Sequence, residues 1–105
     1  MQTKVINLSL KKGDTLKLAL TLFNMPTQAE NVQMNIKNLC GTETILNLNL
    51  ENGGVVSTEN PDLFIIFLDK INSDSLDIGD YKYSIKVDYG AEVNTFIEGQ
   101  LTVGD

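Results

Sequence analysis

In the segment TLKLALTLF, Leu16, Leu18, Leu20 and Leu22 alternate with Thr15, Lys17, Ala19 and Thr21. A two-residue period places every leucine on one face of an extended strand, whereas a helix would scatter them around its circumference. The same period returns in Ile6, Leu8 and Leu10 against Asn7 and Ser9, in Val32, Met34 and Ile36 against Gln33, Asn35 and Lys37, and in Leu46, Leu48 and Leu50 against Asn47 and Asn49. Towards the C-terminus, Tyr81, Tyr83, Ile85, Val87 and Tyr89 alternate with Lys82, Ser84, Lys86 and Asp88, and Val93, Thr95, Ile97, Leu101 and Val103 share one parity. Segments of this kind are half-buried antiparallel strands with one wet face.

Turn formers punctuate these runs. Lys11, Lys12, Gly13 and Asp14 read as a compact hairpin between the first two, Asn24-Met25-Pro26 stops the second, and Glu51-Asn52-Gly53-Gly54 turns the chain after the fourth. Asn60-Pro61-Asp62 precedes Leu63-Phe64-Ile65-Ile66-Phe67-Leu68, which is apolar at every position. Such a strand is expected to be central, covered on both faces, or covered on one face by an oligomeric partner. Residues 69–80 break the rhythm with Ser73, Asp74, Ser75 and Asp77, as a crossover from one sheet to the other with room for one helical turn.

About eight short strands at regular spacing predict an all-β sandwich, with a barrel as the alternative. A chain of 105 residues, 42% hydrophobic, can bury one modest core, so residues 1–105 are expected to form a single β-sandwich domain. In Leu76-Asp77-Ile78-Gly79-Asp80-Tyr81, a tyrosine opens a strand just after the crossover. That step resembles the tyrosine corner of immunoglobulin-like domains, where the phenol hydroxyl returns to an upstream backbone group. The alternative is a rim aromatic with its hydroxyl in water. The expected fold is an immunoglobulin-like antiparallel β-sandwich of about seven to eight strands.

The residues that carry most enzymatic chemistry are missing. Without a single histidine, Ser-His-Asp and Cys-His arrangements are impossible and the usual zinc sites lose a ligand. Cys40 and Ser9 have no evident activating base, and Gly13 and Gly53-Gly54 lack the strand, spacing and Lys-Ser/Thr of a phosphate loop. Cys40, the one cysteine, reads as a small buried or half-buried hydrophobe. Asp69, Asp74, Asp77 and Asp80 share one connection, but their spacing does not match a calcium loop, and acidic turns serve solvation and capping. Glu30, Glu43, Glu92 and Glu98 form no evident pair. No catalytic, cofactor-binding or metal residue is assigned, and the chain is not expected to be an enzyme.

A net charge of −6, with eight lysines and no arginine, repels nucleic acid and withholds its best bidentate ligand. The first fourteen residues show no apolar stretch behind a basic segment, and the longest apolar run falls far short of the roughly 20 residues of a membrane span. No nucleic-acid or membrane partner is therefore expected.

The start KVINLSLKKGDTLKLALTLFN resembles the N-terminal domains of tailed-bacteriophage structural proteins, such as upper baseplate proteins and fibre or receptor-binding-protein adaptors. The later half is similar through Leu76, Gly79, Tyr81 and Tyr83, then Thr95, Gly99, Leu101 and Val103, with Gly99 bulge-like. The sequence departs from the family between the second and third strands, where Met25-Pro26-Thr27-Gln28-Ala29-Glu30 replaces a Pro-hydrophobic-Asp-Leu step. The family's domain usually leads into a coiled coil or fibre, so the resemblance implies that this chain would be either a stand-alone virion component or a trimmed fragment.

The resemblance implies a virion structural protein of baseplate, neck, fibre adaptor or capsid decoration. It would be assembled in the host cytoplasm and act as a homo-oligomer bound to itself and other virion proteins. Terminal strands over residues 3–10 and 92–103 are the candidate edges for such contacts. A glycan- or small-ligand-binding sandwich is the alternative; the absence of Trp and the core-like positions of Tyr83, Phe64 and Phe67 weigh against it.

Overall fold

The computed structural model describes residues 4–21, 29–60, 62–88, 90 and 93–104. Among these residues, nine strands and one short helix follow in chain order: β1 (Lys4–Val5), β2 (Leu8–Lys11), β3 (Leu16–Thr21), β4 (Asn31–Asn38), β5 (Thr44–Leu48), β6 (Val55–Ser57), β7 (Leu63–Leu68), α1 (Lys70–Ser75), β8 (Gly79–Asp88) and β9 (Val93–Gly104). They form a six-stranded sheet, β1-β9-β8-β4-β5 with β2 also beside β9, and a three-stranded sheet, β3-β7-β6. The result is an immunoglobulin-like sandwich, all antiparallel except that β1 and β2 run parallel to β9. No helix among the described residues is long and apolar enough to cross a membrane.

The alternation translates directly into the core. Val32, Met34 and Ile36 of β4, Tyr83, Ile85 and Val87 of β8, and Leu101 and Val103 of β9 meet Leu20, Phe64, Ile66 and Leu68 of the smaller sheet. Burying each such side chain stabilises the fold by about 1.5–3 kcal/mol relative to leaving it in water. The partners Gln33, Asn35, Ser84 and Lys86 point to the opposite, wet face of the larger sheet.

The crossover from β7 to β8 holds more helix than one turn. The Asp69 carboxylate caps α1 by accepting from the Asn72 amide at 2.8 Å, which satisfies one of the orphan N–H groups of a helix start. The fully buried Ser73 accepts from the Gly13 amide at 3.1 Å, and Lys12 donates to the carbonyls of Asp74 (2.7 Å) and Leu76 (2.8 Å). The turn after β2 and the helix before β8 are thus pinned to each other.

The tyrosine corner is formed: the Tyr81 hydroxyl donates to the Asp77 carbonyl at 2.7 Å. Two residues on, Tyr83 holds the position of the second inter-sheet cysteine in antibody domains. Its ring is buried, and its hydroxyl donates to the Ile6 carbonyl at 2.5 Å. Both phenols are held above the usual 10.0, Tyr83 by burial, Tyr81 by burial first and then by the Asp77 carboxylate. A raised pKa means that each phenol binds its proton more tightly folded than unfolded, so this stability is complete below pH 10.0 and is lost as pH rises through the higher folded values. Denaturation midpoints measured against pH should fall above pH 10.0. In the Y81F/Y83F double variant that fall should be shallower, and an unchanged slope would refute the assignment.

Several expectations are corrected by the pairing. Residues 11–14 form a tight turn, Asp14 N–H to Lys11 C=O at 3.0 Å, yet they do not make a hairpin: β2 pairs with β9, and β3 pairs with β7 in the other sheet. The same turn chemistry serves a hairpin and an inter-sheet corner. The C-terminal strand is no edge, because β9 lies between β8 and the β1/β2 pair; only the N-terminal half of that expectation describes an edge. The parity of β9 breaks at Phe96: Ile85 pairs with Ile97 but Lys86 with Thr95, so Phe96 is the bulged residue and Val93 and Thr95 turn to the other face. Gly99 is therefore not the bulge. It is glycine because a Cβ there would fall on the Ile6 carbonyl.

Cys40 is exposed in the β4–β5 turn. There the Asn38 side chain accepts from the amides of Thr42 (2.9 Å) and Glu43 (3.2 Å), ending the strand before the cysteine can reach a buried position. Phe67 faces outward, with the Lys17 ammonium 5.4 Å above its ring. Leu22, the stop at Asn24-Met25-Pro26, Tyr89, Glu92 and most of the 25–30 loop lie outside the described residues.

Candidate binding face

The wet side of the larger sheet is built by register. Lys37 on β4, Lys82 on β8 and Gln100 on β9 form one row across the strands; Asn35, Ser84 and Glu98 form the next; Gln33, Lys86 and Thr95 form the third. The sheet's twist hollows this grid into a trough of about 570 Å³, rimmed by Val5 and Asn7 on one side and by Leu39 and Gly41 on the other. Val5 and Leu39 are 68% and 48% exposed, so each rim carries an apolar side chain in water.

Amide side chains stiffen one flank. The Asn47 Nδ2 donates to Gln33 Oε1 at 3.1 Å and to Asn35 Oδ1, and Asn49 Nδ2 donates to Asn47 Oδ1 at 2.6 Å. On the other flank, the Gln100 amide donates to Asn7 Oδ1 at 3.0 Å, which fastens the kink between β1 and β2 to the trough. Three ammonium groups and one carboxylate line the trough, on a chain whose net charge is −6. The remaining five lysines are set against thirteen acids, two of which, Asp80 and Asp88, share the parity of Lys82 and Lys86 on β8, so the cationic character is confined to the trough. Like charges directly opposite on neighbouring strands, as in Lys37 and Lys82, are destabilising.

The other face of the sandwich differs. Leu63, Ile65 and Phe67 of β7 point away from the core and are half-buried, with Ala19 and the 50% exposed Val56 on either side of Ile65 in register. Of the two coverings expected for this apolar strand, the described residues supply only the inner one. A second, apolar slot of about 120 Å³ opens between the sheets where Ile6 and Leu8 approach Leu18 and Leu20.

Among the described residues no group of three or more acidic, cysteine or histidine side chains converges. Asp69 is spent on the α1 cap, and Asp80 accepts from the Thr102 hydroxyl at 2.9 Å. Of the glutamates, Glu98 lies in the trough; Glu92 is outside the described residues. Sequence reasoning missed the trough, although Lys82, Ser84 and Lys86 share one parity; that Lys37 and Gln100 stand beside them depends on pairing.

No family model matches the chain, and a comparison with curated proteins returns no match. Among solved structures, it is similar to the extracellular fragment, including the stalk region, of novel immune-type receptor 11 from Ictalurus punctatus. The TM-score is 0.52 at 9% identity, over 100% of this chain and 87% of that one. It is also similar to the extracellular domain of the voltage-gated sodium channel beta4 subunit, at a TM-score of 0.45 and 12% identity, over 100% of this chain and 95% of that one. What the first likeness shows is the fold.

Proposed function

We propose that this chain is a protein-binding sandwich that associates with itself and with other structural proteins of a phage particle. The observation that carries the self-association is β7. Six consecutive apolar residues form a strand whose inner face meets the core and whose outer face, Leu63, Ile65 and Phe67, has no covering layer among the described residues. An apolar sheet face rimmed by polar residues is typical of a protein interface, and among the described residues β3 beside it pairs on one side only, an edge that can take a second copy. The virion assignment is supported by the family resemblance of the Leu76 to Tyr83 step and the Thr95 to Val103 strand.

The glycan-binding alternative has less support. Tyr83 is buried and the Tyr81 hydroxyl is spent on the corner, so neither offers a stacking platform in the trough.

Light scattering on the purified chain should give a defined oligomer, and Ile65→Lys or Val56→Lys should return it to a monomer without loss of fold. A monomer at high concentration would overturn self-association. Absence of the chain from purified virions by mass spectrometry would overturn the virion role.

A further inference from the structure

We propose that the trough on the larger sheet is a second binding site, which takes an extended acidic peptide segment of a partner protein. This deepens the protein-binding reading and uses the opposite face from the self-association surface.

Charge is the first argument. Lys37, Lys82 and Lys86 concentrate positive charge on one concave face of a chain with net charge −6. Complementary potentials of this kind steer and select partners. The second argument is that Lys37 and Lys82 stand directly opposite each other on neighbouring strands. A like-charge cross-strand pair lowers the stability of the free domain, and a carboxylate placed between the two ammonium groups relieves that repulsion. A local breach of a stability rule is what a functional site leaves behind.

The arrangement also selects the class of anion. Glu98 lies in the middle row, between the Lys37–Lys82 row and the row holding Lys86. A uniformly charged polyanion must bring charge against that carboxylate. A peptide can place one carboxylate at each lysine row, about 13 Å apart along β8, and a neutral residue between them. The amides of Asn35 and Gln100 and the hydroxyl of Ser84 can serve its polar groups, and Val5 and Leu39 can pack on its apolar side chains. The low density of charge and the absence of arginine fit a peptide better than nucleic acid.

The test uses the full chain and a capped decapeptide of Thr with Glu at every fourth position, which in an extended chain sets the carboxylates about 13 Å apart on one face, titrated by NMR at low salt. Shift changes should map to β4, β8 and β9. Lys37→Gln/Lys82→Gln should weaken binding at least tenfold, while Lys70→Gln, on α1, should not change it. Glu98→Gln should tighten it. The same double variant should melt about 2–5 °C higher than the parent, because the like-charge pair is gone; a variant that binds less while being more stable cannot be explained by misfolding. Shifts confined to another surface, binding unchanged in the double variant, or inorganic polyphosphate binding more tightly than the peptide would each overturn the proposal. Failure here leaves the light-scattering result standing, and a monomer there leaves the peptide titration standing.

Discussion

Gly99→Ala is expected to detach the N-terminal edge of the larger sheet and to cost about 3 kcal/mol of stability. Gly99 sits opposite Tyr83 in the β8–β9 ladder, and its φ is not in the left-handed region, so alanine brings no backbone strain. The cost is steric: the added Cβ would fall on the Ile6 carbonyl, with the Asn7 side-chain oxygen beside it. Neither neighbour is the loose end of a long side chain. Ile6 is also tied through its own N–H to the Glu98 carbonyl at 2.9 Å, so it cannot retreat without breaking that bond. Retreat would also break the Gln100 to Asn7 and Tyr83 to Ile6 hydrogen bonds. For a chain of this size the loss corresponds to roughly 10–20 °C in Tm. Hydrogen exchange should show protection lost first at the amides of β1 and β2. A variant as stable as the parent, with that edge still protected, would show that the approach of Ile6 to Gly99 does not exist in solution.

Tyr83 separates two contributions at the same carbonyl. Tyr83→Ala removes a large ring from the core and should cost about 3–5 kcal/mol. Tyr83→Phe keeps the ring and deletes only the hydroxyl that meets Ile6, for about 1–2 kcal/mol. Guanidinium denaturation of both variants gives the two values. Gly99→Ala combined with Tyr83→Phe should cost less than the sum of the singles, since displacing Ile6 already breaks the bond that the phenylalanine lacks. Equal costs for Ala and Phe, or strict additivity in the cycle, would remove Tyr83 from this role. In antibody domains the residue at this position is half of a disulfide between the sheets; here a phenol secures the edge strand instead.

That contrast bears on how much could be read before the structure. The face of each strand was legible wherever the period held: Val32, Met34 and Ile36 are fully buried, as their spacing requires. The corner at Tyr81 was legible because it is made within four residues, from Tyr81 to Asp77. The bulge at Phe96 was not, because a bulge is a relation between two strands and leaves no composition signal in one. Cys40 misled for a related reason: an apolar residue type says little when a turn two residues earlier has already ended the strand.

The candidate faces divide along the same line. The unbroken apolar run of β7 showed from its residues alone that both faces of that strand are apolar. The trough needed Lys37 and Lys82 to be neighbours, although they are far apart in the chain.

Residue order alone was thus enough for the long alternating strands and the inward face of most of them, though not for the three-residue β6 or the kink at Ile6 and Asn7, and for the absence of histidine-dependent chemistry. These are local properties, set by the pleat of an extended backbone and by residue type. Only the tertiary structure decided that the turn at 11–14 joins two sheets, that β9 is interior, that Gly99 makes room for Ile6 and that three lysines share one hollow. Each of these depends on which distant segment lies alongside, and the energy that selects the neighbour comes from the whole packed core, not from either segment alone.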